Sequence, residues 1–471
     1  MVMPTAFDAA AQIRSGTRPS EDLVRACLAA IDELNPRLNA FVHLDASGAI
    51  AAARRVDAEI RAGRTSGLGP LAGVPFGVKD LENCAGMPTT RGSRWFANRP
   101  PVAADDIHVA RLRRAGAIPL GKTAVPEFGM WAYTASPVLG VTRNPWNDTR
   151  TPGGSSGGSS AAVSSGMTPF CTASDGGGSI RTPASFTGLV GLKCTYGRIP
   201  TFGVTHLAQN AVVGSLATTV KDVAYLLDVM AGPDARDRTS LPPPGIRYID
   251  ALATLEPRGV RAAFSLDLGF AIVDPEVESI CTEAAAAFIA AIGAQRVDAN
   301  VKLEDYISTY GKIEGVDHFV GIDRELWLDR LDELDPRVAP SWAKARTVTL
   351  PKSAVIEERR RKLVHQIAAD FERFDLLLTP MSAMPAFAAE GPMPEAINGR
   401  AVHGGMCVIH GMLANLANLP AISVPAGVTR AGLPIGLQVI GPRYREDLLL
   451  AASARYEAAR PWPRHAPIGR K

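Results

Sequence analysis

Hydrophobic residues along this chain follow two alternating patterns, one with a helical period and one of short continuous apolar runs. Between residues 20 and 42, apolar side chains recur three and four positions apart, which predicts an amphipathic helix. We expect Ser20 to cap the start of this helix, because a serine oxygen can accept a hydrogen bond from the first turn, and Pro36 to end it. The same period predicts helices at 49–63, 106–115, 220–232 and 277–294.

Short apolar runs between these helices predict buried strands. The runs lie at 73–80, 117–123, 374–380, 421–427 and 435–441. Helices that alternate with buried strands indicate an α/β fold with a mixed or parallel sheet. The stretch 232–250 is rich in proline and charge, and we interpret it as a surface connection within one domain.

Composition and charge narrow the functional classes. The 471 residues are 46% hydrophobic and 21% charged with a net charge of +3, which suits a globular protein and does not indicate a nucleic-acid partner. The six cysteines are scattered singly, so we expect neither a metal cluster nor a disulfide framework. The longest apolar run is too short to cross a membrane, and the first residues do not resemble a signal peptide. We therefore expect a cytoplasmic protein without a membrane partner.

Three short motifs match known patterns but lack the surroundings that those patterns need. Residues 116–123 satisfy G-x-x-x-x-G-K-[ST], yet a strand-like run occupies the place of the phosphate loop, so no ATP site is expected. Residues 153–158 satisfy G-x-S-x-G twice, but the segment before them is not strand-like, as a hydrolase nucleophile elbow would require. Residues 341–344 satisfy S-x-x-K, which arises easily by chance, and we interpret them as surface.

A glycine loop at 176–178 does have the surroundings of a catalytic loop. A predicted strand at 167–173 precedes it, and Ser179 and Pro183 follow it at the predicted start of a helix. Successive backbone N–H groups at such a position can bind an oxyanion, and a serine beside them is placed to act as a nucleophile. An ordinary tight turn is the alternative interpretation.

These features occur in the order typical of one enzyme family. Lys79 in GVPFGVKD, Ser155 in the Gly/Ser run 151–166 and Ser179 in SDGGGSIRTPA together closely resemble the amidase signature family. The resemblance continues through segments such as GLVGLKCTYGRIP, FDLLLTP and GLPIGLQVIG, and it extends over nearly the whole chain.

The resemblance implies a fold and a domain organisation. We expect an α/β fold in which a single large domain, residues 1–471, has a central mixed β-sheet covered by helices on both faces. The catalytic core is expected at about 65–230, and a more variable region that shapes the substrate site at about 235–370. Neither a metal nor an organic cofactor is expected, and a homodimer is a candidate assembly.

The resemblance also implies roles for individual residues. Ser179 would be the nucleophile, Ser155 a bridging serine on a cis peptide after Gly154, and Lys79 the base. The oxyanion would be held by the backbone N–H groups of the loop, Gly176, Gly177, Gly178 and Ser179. The reaction would be hydrolysis of a carboxylic amide to an acid plus ammonia or an amine, through an acyl-enzyme.

Elementary chemistry agrees with a lysine base. Lys79 can take a proton only when it is neutral, and the apolar run 72–78 offers the burial that lowers a lysine pKa. Strand alternation directs the neighbouring Asp80 to the opposite face, away from the amine. No histidine lies within these motifs, which disfavours a Ser-His-Asp triad.

Four residues are further candidates for contact with the substrate: Met130, Trp131, Ser156 and Asp175. Met130 and Trp131 lie between the predicted base and the Gly/Ser run and would line an apolar acyl pocket for a medium-sized uncharged amide, with simple core filling as the alternative. Ser156 and Asp175 would also support the catalytic loops by hydrogen bonds. Arg181 would either pair with Asp175 or orient a polar group of the substrate.

Two other functions stay open on the sequence. The catalytic subunit of a tRNA-dependent amidotransferase belongs to the same family and would need tRNA and a partner chain, although segment 402–420 does not resemble the glutamine site of that enzyme. A non-catalytic binding protein is the second, although intact Lys79, Ser155 and Ser179 disfavour it. For a simple amidase, the expected partner is a small-molecule amide, with no nucleic acid and no membrane.

Overall fold

One mixed β-sheet organises the computed structural model, which describes residues 3–201, 210–321 and 330–468. The strands of the described chain are β1 (Phe41–Leu44), β2 (Pro75–Lys79), β3 (Ile118–Thr123), β4 (Ala135–Ser136), β5 (Gly140–Val141), β6 (Phe170–Asp175), β7 (Val190–Lys193), β8 (Val212–Ala217), β9 (Arg261–Phe264), β10 (Gln295–Val297), β11 (Leu376–Pro380), β12 (Ala396–Ile397), β13 (Arg400–Ala401), β14 (Ala421–Val428) and β15 (Pro434–Ile440).

Eleven of these strands form the large sheet, in the order β1-β3-β2-β6-β8-β7-β14-β15-β11-β9-β10. Strand β2 is parallel to both of its neighbours, β3 and β6. The strands from β6 to β11 then pair antiparallel in turn, and β11, β9 and β10 are parallel again. Both faces of β2 are buried, which explains its continuous apolar run in the sequence.

Helices cover both faces of this sheet, so the predicted fold class is confirmed. The helices of the described chain are α1 (Ala6–Arg14), α2 (Ser20–Leu38), α3 (Ala46–Arg61), α4 (Ile107–Arg114), α5 (Gly157–Ser164), α6 (Arg181–Thr187), α7 (Val220–Met230), α8 (Tyr248–Thr254), α9 (Pro275–Ala291), α10 (Ile307–Gly321), α11 (Ala339–Ala345), α12 (Leu350–Asp370), α13 (Ile409–Leu416) and α14 (Glu446–Ala459). Within the described residues, no helix has the length and hydropathy needed to cross a membrane.

The predicted ends of α2 were wrong at both termini. Ser20 is the first helical residue rather than the cap, because its hydroxyl donates to Gly73 O at 2.8 Å and so ties the helix to the strand region. Pro36 lies inside the helix, which continues to Leu38 and ends where Asn39 adopts a left-handed conformation. Burial of Leu38 in the core favours this extra turn in spite of the backbone donor that the proline lacks.

The structure bears on two further predictions, which concern the ends of strand β6 and the motif at 116–123. Strand β6 begins at Phe170 and ends at Asp175, later than predicted, because the whole of this stretch pairs with β8. Lys122 of the 116–123 motif lies buried on β3, where its Nζ is 2.8 Å from Thr89 Oγ1, so no phosphate loop is formed there. All six cysteines are buried and free.

Helix α5 forms the second half of the Gly/Ser run, and its backbone packs closely against the ends of neighbouring strands. A Cβ atom on Gly158 would lie 2.2 Å from Ala124 N and 2.6 Å from Ala40 O. Both of these atoms belong to the main chain and cannot move aside as the end of a flexible side chain could. Helix α5 would therefore have to shift to admit one methyl group.

We expect Gly158→Ala to destabilise the protein by about 1–3 kcal/mol, because overpacking against the backbone cannot be relieved by a rotamer change. The thermal unfolding midpoint measures this effect. Gly67→Ala is the matched control, since a Cβ there meets no atom within 4 Å, and its midpoint should not change. An unchanged midpoint for Gly158→Ala would contradict the close packing of α5.

Candidate active site

Lys79 ends strand β2 with its side chain fully buried. Its Nζ lies 2.9 Å from Ser155 Oγ, 2.7 Å from Ser156 Oγ and 3.2 Å from Ser174 O. The main-chain N–H of Lys79 donates to Thr172 Oγ1 on the adjacent β6 at 2.9 Å, which fixes the strand end on which the amine is carried. The structure therefore brings the predicted base and the predicted bridging serine into direct contact.

Burial lowers the pKa of Lys79 to about 7, while the more distant carboxylates of Glu82 and Asp175 act in the opposite direction. Asp80 does not contact the amine. Its carboxylate accepts hydrogen bonds from Thr90 and lies 3.4 Å from Lys122 Nζ, on the other face of the sheet, as strand alternation predicted. A large fraction of Lys79 is consequently neutral near neutral pH.

The Gly/Ser run forms a tight, buried turn rather than a linker. The Gly154–Ser155 peptide is cis, as the resemblance implied. A Cβ on Gly154 would lie 2.4 Å from Trp131 O, and one on Gly157 would lie 2.2 Å from Thr134 Oγ1. Glycine at these positions is therefore a packing requirement. This requirement explains why a segment rich in glycine and serine, a composition typical of flexible linkers, lies buried in the core.

Ser179 lies between the glycine loop and α6, half-buried and facing a cavity. The three loop glycines do not have equivalent backbone N–H groups. Gly178, at φ +120°, donates its N–H to Asp175 Oδ1 at 2.8 Å, so this N–H is not directed at the cavity, contrary to the role that the resemblance implied. Among the described residues, Ser179 Oγ makes no hydrogen bond to Ser155, although both belong to the same site.

Asp175 and Arg181 form a fully buried ion pair behind the glycine loop, with Arg181 Nε and Nη2 at 2.9 and 2.8 Å from the two carboxylate oxygens. Burial opposes ionisation of Asp175, but the guanidinium and its hydrogen bonds hold the pKa of that carboxyl well below its usual range. Arg181 also donates to Gly411 O at 2.9 Å and Asn415 Oδ1 at 2.7 Å on α13, and to Gln438 on β15. Of the two roles considered for Arg181, pairing is the one that the structure contains.

Ser156 and Asp175 are placed differently from the predicted substrate contacts. Both are fully buried and neither is among the described residues that line the cavity. Their polar atoms are directed at Lys79 and Arg181 instead, because the buried amine and guanidinium groups need hydrogen-bonding partners. Ser156 and Asp175 therefore support Lys79 and Arg181 by hydrogen bonds and do not line the cavity.

The cavity in front of Ser179 has a volume of about 800 Å³. One part of its lining is apolar and includes both predicted pocket residues: Met130, Trp131, Val348, Met393, Val408 and Met412. Another part is charged: Asp305, Lys312, Glu314, Arg337, Lys344 and Glu395. The sequence predicted Met130 and Trp131 from their position near the catalytic motifs, and it missed the other apolar residues and the charged part, which are distant in the chain.

The interpretation of residues 341–344 as surface holds for Ala343 and Lys344, which are exposed, and is wrong for Trp342. Trp342 of α11 is fully buried, with its ring centroid 4.8 Å from that of Phe128 and 5.8 Å from that of Trp95. This anchor turns the opposite face of the helix, with Ser341 and Lys344, towards the cavity. In the sequence, the S-x-x-K spacing was the available signal that Ser341 and Lys344 share one side of a helix. Burial of Trp342, which lies within the motif, decides that this side of α11 faces the cavity.

Similarity to known proteins extends over nearly the whole chain. A model of the Amidase family matches residues 22–450. The chain is 36% identical to a subunit of the glutamyl-tRNA(Gln) amidotransferase of a Synechococcus strain, over 95% of this chain and 94% of that one. It is 34% identical to an acylamidase of Rhodococcus erythropolis, over 98% and 97%. The solved structure of a bacterial aryl acylamidase of the amidase signature enzymes superposes with a TM-score of 0.89 at 27% identity, over 98% and 97%.

We expect kcat/KM to rise with pH along one ionisation near pH 7, because protonated Lys79 cannot accept a proton and its pKa is about 7.

Lys79→Met should lose about 10²–10⁴-fold in kcat/KM, the range typical of a lost general base. Its thermal midpoint should stay level or rise, because an uncharged side chain replaces a buried amine. Lys352→Met, at an exposed lysine, should change neither quantity. A Lys79→Met enzyme that keeps a tenth of its activity would place the base elsewhere.

Proposed function

The chain belongs to the amidase family, and we propose that it hydrolyses the C–N bond of a small carboxylic amide with Ser179 as the nucleophile. The observation that carries this proposal is the buried Lys79 amine, 2.9 Å from Ser155 Oγ, behind a cavity that Ser179 lines. A lysine of low pKa in contact with a serine is the arrangement that activates a hydroxyl without a histidine. No step in the proposed reaction requires a metal or a cofactor.

Acylation begins with two proton transfers. Neutral Lys79 takes the proton of Ser155 Oγ as Ser155 takes that of Ser179, and Ser179 Oγ forms a bond to the amide carbon. This transfer requires the two hydroxyls to approach when the substrate binds, since catalytic hydrogen bonds commonly tighten only in the complex. The carbonyl oxygen becomes an oxyanion. The proton then returns through Ser155 to the amine nitrogen, and the C–N bond breaks.

Deacylation uses the same groups in the same order. Water attacks the acyl carbon and loses its proton through Ser155 to Lys79, and that proton returns to Ser179 as the acid departs. The backbone N–H groups of Gly176, Gly177 and Ser179 are the oxyanion donors that we propose, since the N–H of Gly178 donates to Asp175.

Substrate choice is proposed to depend on the region at about 235–370. The cavity-lining segments 305–315 and 337–348 fall within it, whereas Lys79, Ser155 and Ser179 lie in the proposed core at about 65–230. A large share of the cavity lining is thus supplied by a different part of the chain from the catalytic groups, although Met130 and Trp131 belong to the core, so that share can vary while the catalytic groups are kept.

The catalytic chain of a transamidase is the second candidate, favoured by the 36% identity to an amidotransferase subunit. Against it stands the close structural agreement with an aryl acylamidase. Purified chain alone, assayed for ammonia release from a panel of acyl and aryl amides, distinguishes them. A simple amidase turns over such amides unaided. A transamidase chain would instead release ammonia from glutamine only with a co-purified partner and aminoacyl-tRNA present.

Ser179→Ala should abolish turnover while the thermal midpoint is kept, because the change removes one half-buried hydroxyl. Mass spectrometry of the wild-type protein after treatment with a fluorophosphonate should find the adduct on Ser179. Ser165→Ala is a matched control at a buried serine that caps α5, remote from Lys79, and should still be labelled. An adduct on Ser155 or Ser156 would overturn the assignment, and a wild-type protein that is never labelled would favour a non-catalytic binding protein.

Trp131→Ala should change the ranking of acyl groups, because Trp131 lines the apolar part of the cavity. With wild-type enzyme, each methylene removed from an alkyl acyl chain should cost about 0.8 kcal/mol of transition-state binding. That dependence should weaken in Trp131→Ala while fluorophosphonate labelling of Ser179 persists. If kcat/KM does not depend on acyl length in the wild type, the aromatic residue fills core and does not contact the acyl group.

A further inference from the structure

We propose that Glu314 is a specificity residue that binds an amino group of the substrate, so that the preferred substrates are amides that carry a second, basic amine. The inference rests on the proposed amidase function and adds the substrate class. It comes from the charged part of the cavity, which neither the catalytic motifs nor the aromatic segment predicted.

Glu314 and Tyr310 lie one helical turn apart on α10, and both side chains line the cavity. They also lie directly against the glycine loop. A Cβ on Gly177 would be 2.1 Å from Tyr310 Oη, and a Cβ on Gly176 would be 3.4 Å from Glu314 Oε1. A carboxyl group is therefore held at the wall of the cavity beside the loop that leads to Ser179.

The surroundings of this carboxyl favour a cation as its ligand. Burial raises the pKa of Glu314 to about 7, the hydrogen bond from Tyr310 acts against that rise, and the carboxylate of Asp175 on β6 adds to it. An ammonium group beside Glu314 would favour the ionised carboxylate, and a desolvated charge pair of this kind would discriminate against substrates that lack the amine. Tyr310 acts as a positioning residue that orients the carboxyl.

The cavity also contains cationic residues, which would favour a substrate with a carboxylate rather than an amine. Arg337 donates to both oxygens of Asp335 and lies 3.1 Å from Tyr133 Oη, so its charge is already matched. Lys344 is exposed on α11, and Lys312, two residues from Glu314 on α10, also lines the cavity. If these lysines dominated recognition, amides with a carboxylate would be preferred, which makes such amides the decisive comparison.

The experiment compares three series of primary acyl amides of equal chain length, which end in an amine, a methyl group or a carboxylate. Wild-type enzyme should show at least tenfold higher kcat/KM for the amine series at its best length than for the methyl series. Glu314→Gln should remove that preference, mainly through KM, and change kcat/KM of the methyl series less than twofold. Glu304→Gln, the same change at an exposed residue outside the cavity, should keep the preference.

Several outcomes would overturn the proposal. A wild-type preference for the methyl or the carboxylate series would contradict it without any variant. An equal loss of kcat/KM for the amine and methyl series in Glu314→Gln would also contradict it, because that result would indicate a role in supporting the loop. Fluorophosphonate labelling of Ser179 separates this failure from failure of the amidase function. If Ser179 is labelled and methyl amides are hydrolysed, the amidase proposal stands even when the amine preference is absent.

Discussion

Burial of the Lys79 amine at the end of β2 is the constraint to which the rest of the site is fitted. A pKa lowered from 10.5 to about 7 corresponds to a free-energy change on the order of 5 kcal/mol against the charged form. The hydroxyls of Ser155 and Ser156 and the carbonyl of Ser174 supply the hydrogen bonds that make an amine acceptable in this interior. The cis turn and the close packing of α5 serve to bring these hydroxyls to the amine.

Arg181 provides the second organising contact, on the opposite side of the glycine loop. Its guanidinium joins Asp175 at the end of β6 to α13 and to β15, elements that come from the last part of the chain. Because Asp175 also accepts the N–H groups of Gly178 and Ile180, the conformation of the loop depends on this buried pair. A loop rich in glycine is thereby held in one shape, which would preorganise the remaining N–H groups for the proposed oxyanion.

The proposed catalytic groups and much of the cavity lining come from different elements of the fold. The catalytic groups are carried by β2, the cis turn and the loop after β6, all of which are anchored in the large sheet. The cavity is lined by α10, α11, residues 129–133 and the residues before α13, and its lining contains both apolar and charged side chains. A substrate with an apolar chain and a basic amine would contact both kinds of residue, so the proposed amine preference keeps the apolar contact but departs from the uncharged amide that the sequence favoured.

The sequence alone determined much of this protein because several of its signals are local. Buried strands at 73–80 and 421–427, the free cysteines, the opposite directions of Lys79 and Asp80, and the cis turn at Ser155 follow from period, composition or a contiguous motif, so a short window of sequence is enough to predict them. Only the tertiary structure decided which way other groups face. The N–H of Gly178 donates to Asp175, Pro36 stays inside α2, Trp342 turns Ser341 and Lys344 to the cavity, and Glu314 reaches the glycine loop. Each of these outcomes depends on packing between segments far apart in the chain, and no local pattern of hydrophobic and polar residues records which distant surface a side chain will meet.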